Sequence, residues 1–196
     1  MSNKARLDPE TLLSAYAQGA FPMADADGHI RWYTADPRGI IPLDAFRVAR
    51  SLRSLLRKGV FEVRFNHSFE ATMRACMEAR RGATWINAEL IQAYLRLHQM
   101  GFAHSVEAWF EGELAGGLYG VSLGGAFFGE SMFHRKTDAS KVALCHLVER
   151  LRQRRFELLD AQASTPHLRQ FGCMELSAEE YLRRLAHAVA LRRHFA

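Results

Sequence analysis

Lysine is the scarcest charged residue of this 196-residue chain: of 26 basic side chains only Lys4, Lys58, Lys136 and Lys141 are lysines, and the rest are arginine. The planar guanidinium fork suits phosphate and carboxylate. Composition therefore leaves two readings of the formal +5 charge, a polyanionic partner or a GC-rich genome that favours arginine codons. Cysteine is scarce too. Cys76, Cys145 and Cys173 are far apart, form no CxxC pair and suggest no disulfide framework, so they read as small apolar residues in a reducing cytoplasm. No run of about 18 apolar residues occurs, which excludes a spanning helix and a membrane partner. The opening MSNKARLDPE has charge but no apolar core segment, so no secretory signal is expected. Nine scattered histidines match neither HExxH nor a Cys/His spacing, so they read as surface or hydrogen-bonded core residues, and no metal site is expected. A GxSxG elbow is likewise missing. What is present, 48% hydrophobic and 24% charged residues, is enough for one domain with a core, or one domain with a small appendage.

Asp8-Pro9-Glu10 predicts a helix start, with Leu12, Leu13, Tyr16 and Ala17 on its apolar face and a stop at Gly19. A turn-rich segment holding Pro22 and Pro37 follows, and residues 1–38 read as a small N-terminal lobe docked on a second unit, 39–196. Asp44 is expected to cap a helix running to Lys58, with Arg47, Arg50, Arg53 and Arg57 at helical spacing and no acid among them. The sequence FEVRF (61–65) predicts a strand, 68–80 a helix, 84–86 a brief extended stretch and 88–100 another helix. Three strands joined by tight turns are then expected at 103–110, 114–122 and 125–130. A polar loop at 133–137, a helix from Asp138 to Arg155, strands at 156–161 and 173–176, and a helix capped by Ser177 with Glu180 at N3 complete the reading. This is an α+β class, a mostly antiparallel central sheet flanked by helices. Its order resembles the GNAT-like acyltransferase fold, in which two strands splay to admit the acyl donor. The pyrophosphate turn that would mark a coenzyme A-dependent N-acetyltransferase is missing at 134–139, HRKTDA.

Residues 124–131, GGAFFGES, nearly match a phosphate loop, but Glu130 stands where a lysine is needed and would repel phosphate. The glycines of this region instead suggest close approach of a bulky partner or of another backbone, one reading being a substrate groove with Leu118, Phe127, Phe128 and Met132 around it. Asp160 and Gln162 close an apolar strand, and alternation places them on one face. An acid beside an amide can bridge an amine and polarise a carbonyl; the alternative is an aspartate bonded to turn backbone. Glu130 adds a second carboxylate, which would attract a cationic substrate.

The stretches AYAQGAFPM (15–23), WYTADPRGIIP (32–42), TWI (84–86), AYLRLHQMGFAHSVEAW (93–109), LAGGLYGVSLGGAFFGESMF (114–133), DASKVAL (138–144) and LLDAQ…HL…FG (158–172) resemble the leucyl/phenylalanyl-tRNA–protein transferases. The resemblance implies transfer of leucine or phenylalanine, and less well methionine, from aminoacyl-tRNA to proteins beginning with arginine or lysine, marking them for the N-degron pathway. It implies no cofactor, a cytoplasmic location and a monomer. Asp160 and Gln162 would then be the catalytic pair, with Glu130 positioning the substrate amino group. The aminoacyl pocket would comprise Leu118, Phe127, Gly129, Met132, Leu144, Leu147 and Leu151. Trp85 would meet the terminal adenosine, and Arg50, Arg53 and Arg57 the acceptor region. Met23 stands where some members carry tryptophan, which removes one aromatic wall from that contact. A non-catalytic tRNA-binding module is the remaining alternative, and the Asp160/Gln162 pair argues against it.

Overall fold

A computed structural model describes residues 7–79 and 84–196. The elements in chain order are α1 (Pro9–Ala17), β1 (Phe21–Ala24), β2 (Ile30–Tyr33), β3 (Arg38–Ile40), α2 (Arg50–Lys58), β4 (Glu62–Phe65), α3 (Phe69–Glu78), α4 (Ala88–Gln99), β5 (Ala103–Phe110), β6 (Glu113–Leu123), β7 (Ala126–His134), α5 (Ala139–Gln153), β8 (Leu158–Gln162), α6 (Pro166–Arg169), β9 (Met174–Leu176) and α7 (Ala178–Val189). Residues 1–6 of the expected lobe and Arg80, the expected end of α3, lie outside the described residues.

Local signals set several boundaries. Asp8 caps α1 by accepting from the Thr11 N–H at 3.0 Å, Pro9 occupies the first turn, and Gly19 leaves the helix at φ +78°. Ser177 caps α7 in the same way through the Glu180 N–H at 3.3 Å. The α+β class holds. β1 and β2 form a separate hairpin, and the seven-stranded sheet runs β4-β5-β6-β7-β8-β3-β9. All its neighbours are antiparallel except β7 and β8, which are parallel.

The sheet separates two apolar layers. One gathers Leu12 and Tyr16 of α1, Met73 of α3, Tyr94 of α4, Phe128 and Leu185. The other gathers Leu52 of α2, Leu144, Leu147 and Leu151 of α5, Phe127 and Phe195. Two features of β7 shape the site. Its ladder with β8 ends at Phe128–Asp160, beyond which β7 continues to His134 while β8 stops at Gln162. Its register with β6 passes from Gly120–Gly129 to Tyr119–Ser131, leaving Glu130 as the extra residue of a bulge.

The structure corrects several sequence expectations. α2 begins at Arg50, not Asp44, because Ile41, Phe46 and Arg47 are held first. The Ile41 N–H bonds Leu159 O at 2.9 Å, Phe46 stacks on Phe171, and the Arg47 N–H bonds Phe171 O at 3.0 Å. Asp44 therefore caps nothing there, and Arg47 lies off the helix. Residues 84–86 form no strand, although Trp85 O accepts from the Ala24 N–H of β1 at 3.0 Å. β7 runs through His134, absorbing the start of the expected loop. At the β6 glycines the close approach is that of neighbouring backbone and side chains, the second of the two expected alternatives. A Cβ at Gly116 would lie 2.6 Å from Ala139 Cβ, and one at Gly120 would lie 2.2 Å from Phe128 O.

Candidate active site

The part of the sheet where β7 and β8 diverge borders a cavity of about 280 Å³. Its apolar lining includes Ile41, Leu118, Met132, Leu144, Leu147 and Leu159, and its polar lining includes Glu130, Asp160, Gln162, Thr165 and His167. The bulge sets the direction of Glu130, which is buried on the α1/α4 side of the sheet. The Tyr16 hydroxyl donates to Glu130 Oε1 at 2.8 Å, and that of Tyr94 donates to Oε2 at 3.3 Å. The two tyrosine hydroxyls also lie within hydrogen-bond distance of each other, so the three contacts share two O–H protons, and all are met at once only when Glu130 carries a proton and donates to one of the tyrosines. Gln162 Nε2 donates to Glu130 Oε1 at 3.3 Å from across the gap.

Burial pushes the Glu130 carboxyl up to about 7. The tyrosine hydrogen bonds and Arg38 oppose that rise, and the charge of Asp160 adds to it. The carboxyl thus changes state near neutrality, a property suited to handling an amine. Burial, and next the Glu130 charge, push both tyrosine hydroxyls well above their ordinary range. They remain donors.

Asp160 is fully buried and held by three groups. Arg38 approaches it through Nε at 3.0 Å and Nη2 at 2.6 Å, the Tyr181 hydroxyl donates at 2.7 Å, and the Gln162 N–H donates at 2.8 Å. Burial works against the charge of Arg38, but the Asp160 carboxylate more than restores it and raises its pKa. The guanidinium also lies 4.8 Å from the Phe21 ring and 4.7 Å from the Tyr181 ring, and donates to Gly19 O at 3.0 Å. Gln162 itself adopts φ +61°, which breaks the strand alternation on which the shared-face reading rested. Asp160 and Gln162 both line the cavity, but they meet through the backbone N–H of Gln162.

Of the pocket residues expected from the resemblance, Leu118, Gly129, Met132, Leu144 and Leu147 line this cavity. Phe127 and Leu151 do not; both are fully buried in the α2/α5 layer, Phe127 with its ring 5.3 Å from that of Phe195. Phe128 packs in the opposite layer against Tyr16. Trp85 and Met23 are half-buried beside each other's chain segments, outside the cavity lining. Arg50, Arg53 and Arg57 are exposed on α2, and none pairs with a carboxylate among the described residues.

Sequence reasoning missed Tyr16, Tyr94, Arg38, Tyr181 and His167. The tyrosines sit on apolar helix faces, and only a hydroxyl at a core position marks them. Asp25, Asp27 and His29 form the one group of possible metal ligands found among the described residues. It lies in the β1–β2 turn, where Asp25 accepts from the Asp27 and His29 N–H groups and pairs with Arg31 at 2.8 Å. His104, by contrast, is a core histidine as expected, and burial lowers its pKa to about 4.

Residues 40–186 match the family model described as leucyl/phenylalanyl-tRNA protein transferase, and residues 5–36 match the model for the N-terminal domain of that transferase. A leucyl/phenylalanyl-tRNA–protein transferase from Rubrobacter xylanophilus is 56% identical over 192 residues, covering 97% of this chain and 100% of that protein. One from Paramagnetospirillum magneticum is 55% identical, covering 94% and 90%. The solved structure of L-PGS from Bacillus licheniformis aligns at 11% identity and a TM-score of 0.47, covering 81% of this chain and 52% of the other.

Proposed function

The chain belongs to the leucyl/phenylalanyl-tRNA–protein transferase family, and from that premise we propose that it moves leucine, also phenylalanine and less well methionine, from aminoacyl-tRNA to the α-amino group of proteins beginning with arginine or lysine. The product would enter the N-degron pathway. The observation that carries the reading is the convergence of Glu130 and Gln162, 3.3 Å apart, beside an apolar cavity. One end of that arrangement suits an apolar aminoacyl side chain, and the other suits an amine.

The chemistry asks little of the protein beyond alignment. The aminoacyl ester is already activated, and an α-amino group of pKa about 8 is neutral in roughly a tenth of molecules at pH 7. The amine nitrogen attacks the ester carbonyl, the new C–N bond forms, and the C–O bond to the ribose breaks. The amine loses one proton and the departing ribose oxygen gains one. In this reading Glu130, when ionised, holds the incoming amine. The Gln162 amide oxygen accepts a hydrogen bond from that amine. Asp160 fixes Gln162 through its backbone N–H, while Arg38 and Tyr181 fix Asp160. Holding amine and ester in line supplies several kcal/mol toward the barrier.

The cavity walls Leu118, Met132, Leu144 and Leu147 would hold the aminoacyl side chain, and an apolar pocket of this kind separates residues differing by a methylene by only about 1–3 kcal/mol. Arg50, Arg53 and Arg57 would meet the acceptor-stem phosphates, and Trp85 with Met23 the terminal adenosine. Residues 1–38 would act as a lobe docked on the catalytic unit 39–196, in a cytoplasmic monomer. The test is direct: mix the protein with radiolabelled Leu-tRNA and a peptide beginning with arginine, with acetyl-CoA as the control donor. Label in the peptide is expected. Its absence, or transfer from acetyl-CoA instead, would defeat the proposal.

A further inference from the structure

The surface arginines of this chain fall into two groups by how they are partnered. Several meet carboxylates: Arg64 pairs with Glu62 at 2.7 Å, Arg74 with Glu70 at 2.6 Å, and Arg183 and Arg184 with Glu180 at 2.8 and 2.7 Å. At the end of α5 and in the C-terminal segment that pattern stops. Residues 150–155 and 190–196 hold Arg150, Arg152, Arg154, Arg155, Arg192 and Arg193, with no Asp or Glu among them. None of these arginines pairs with a carboxylate among the described residues. The flanking acids Glu149 and Glu157 each lie beside a histidine, His146 at 3.8 Å and His187 at 3.0 Å.

Packing gathers these side chains into one surface. The buried Phe195 anchors the C-terminal segment, its ring 6.1 Å from that of Phe65 and 5.3 Å from that of Phe127, in the layer that also holds Leu52 of α2 and Leu151 of α5. Arg193 donates to Arg155 O at 3.1 Å and Arg150 to Phe195 O at 3.5 Å, which ties the segment to the end of α5. Arg152 donates to Leu43 O at 2.6 Å, which ties that end to the chain leading into α2, and α2 packs on α5. Arg154, Arg155 and Arg192 are exposed, and among the described residues no hydrogen bond or ion pair engages their guanidinium groups. The helix dipole favours cations in a last turn, which accounts for Arg150 and Arg152, but Arg154, Arg155 and Arg192 lie past the last helical residue, Gln153. Arg155 even holds φ +58°, a conformation that favours glycine or asparagine just beyond a helix.

Guanidinium groups without carboxylates suit phosphate oxygens, and crowded like charges are relieved when an anion is shared among them. Position selects which phosphates. Leu144 and Leu147 line the cavity from the first half of α5, and Arg154 lies about 15 Å farther along the helix direction than Leu144. The aminoacyl ester closes one end of the tRNA chain, so phosphates at that distance from the cavity belong to nucleotides farther from the ester. We propose that Arg154, Arg155 and Arg192, joined to the α2 arginines through α5, form a second phosphate-binding surface that holds the tRNA at nucleotides beyond its aminoacylated end. The inference rests on the transferase reading above, which supplies the identity of the RNA. Contacts to ribose-phosphate position the chain and read no base, so this surface accepts leucine and phenylalanine tRNAs alike. It acts on donor binding and leaves the chemical step alone.

The test is filter binding of Leu-tRNA to the full chain between about 50 and 200 mM salt. In the triple variant Arg154→Gln, Arg155→Gln, Arg192→Gln, the plot of log Kd against log salt should lose about 2–2.7 of slope, about 0.7–0.9 for each arginine. Its Kd near physiological salt should rise at least about tenfold. A control variant, Arg74→Gln, Arg183→Gln, Arg184→Gln, removes the same charge from carboxylate-paired arginines of α3 and α7 and should keep the wild-type slope to within about 0.5. A second donor, 3′-leucyl adenosine, carries no phosphate. With an arginine-initiated peptide, its kcat/KM should agree within about twofold between wild type and the first variant. An unchanged slope, an equal loss in the control variant, or a matching loss with leucyl adenosine would overturn the proposal. Binding is read without transfer, so wild-type protein that binds tRNA with the expected salt slope yet labels no peptide defeats the transferase reading alone.

Discussion

Arg38 grips Asp160 through both Nε and Nη2, at 3.0 and 2.6 Å, with both side chains withdrawn from solvent. The Tyr181 hydroxyl and the Gln162 N–H occupy the same carboxylate. A carboxylate engaged on this scale is poorly placed to move a proton. We read it as the anchor that holds Gln162 at φ +61°, facing Glu130. Arg38 in turn reaches Gly19 and the Phe21 ring, so the anchor ties β8 and α7 to the N-terminal segment.

Removing one partner of this pair should be severe. Arg38→Met leaves a buried carboxylate without its cation, at a cost of about 3–5 kcal/mol. Thermal unfolding should move down by about 10 °C in a chain of this size. Arg38→Lys keeps the charge but loses the fork, so it should fall between the two. A melting curve for Arg38→Met that overlays wild type would contradict the anchor.

Glu130 should give stability a pH dependence of definite sign. Its folded carboxyl titrates near 7, against 4.5 for an unperturbed one, because burial disfavours the charge. Between those values the folded chain holds a proton that the unfolded chain has lost. Stability therefore falls as pH rises from 4.5 to 7, by about 3 kcal/mol, and is level on either side. Glu130→Gln should abolish this component, seen as the difference between the two proteins in urea unfolding across pH. In the transfer assay, wild-type rate should climb as Glu130 ionises near pH 7, and the glutamine variant should lack that limb.

Two glycines of the β6–β7 pair should answer differently to alanine. At Gly120 a Cβ would lie 2.2 Å from Phe128 O and 2.5 Å from the Phe127 ring, so the backbone must move. Gly120→Ala should cost several kcal/mol, on the scale of an overpacked core. At Gly129 the nearest atom is Asp160 O at 3.3 Å, where the strands begin to part. Gly129→Ala should fold with a loss near 1 kcal/mol. Equal unfolding midpoints for the two variants would refute the distinction.

The α2 arginines should show themselves through salt. If Arg50, Arg53 and Arg57 each neutralise one phosphate, log Kd for tRNA against log salt should lose about 0.7–0.9 of slope per arginine removed. Filter binding of Arg53→Glu and of the triple variant between low and physiological salt measures this. An unchanged slope would return these residues to ordinary surface, leaving codon preference to explain the arginine excess.

The sequence by itself determined what depends on neighbours in the chain. Asp8-Pro9 and Gly19 bound α1, Ser177 and Glu180 open α7, and turn residues divide β5, β6 and β7, because capping and turn chemistry act over a few residues. The signature stretches also placed Glu130, Asp160 and Gln162 among the candidates. Only the tertiary structure decided how these groups meet. Tyr16 and Glu130 are 114 residues apart, and Arg38 and Asp160 are 122 apart, so no local pattern records either pairing. The bulge at Glu130 resets the alternation of β7, which puts Met132 in the cavity and leaves Phe127 in the core. Period-two reasoning holds only until one residue is inserted. The same limit governs Gln162, whose positive φ departs from strand geometry while its side chain still lines the cavity with Asp160.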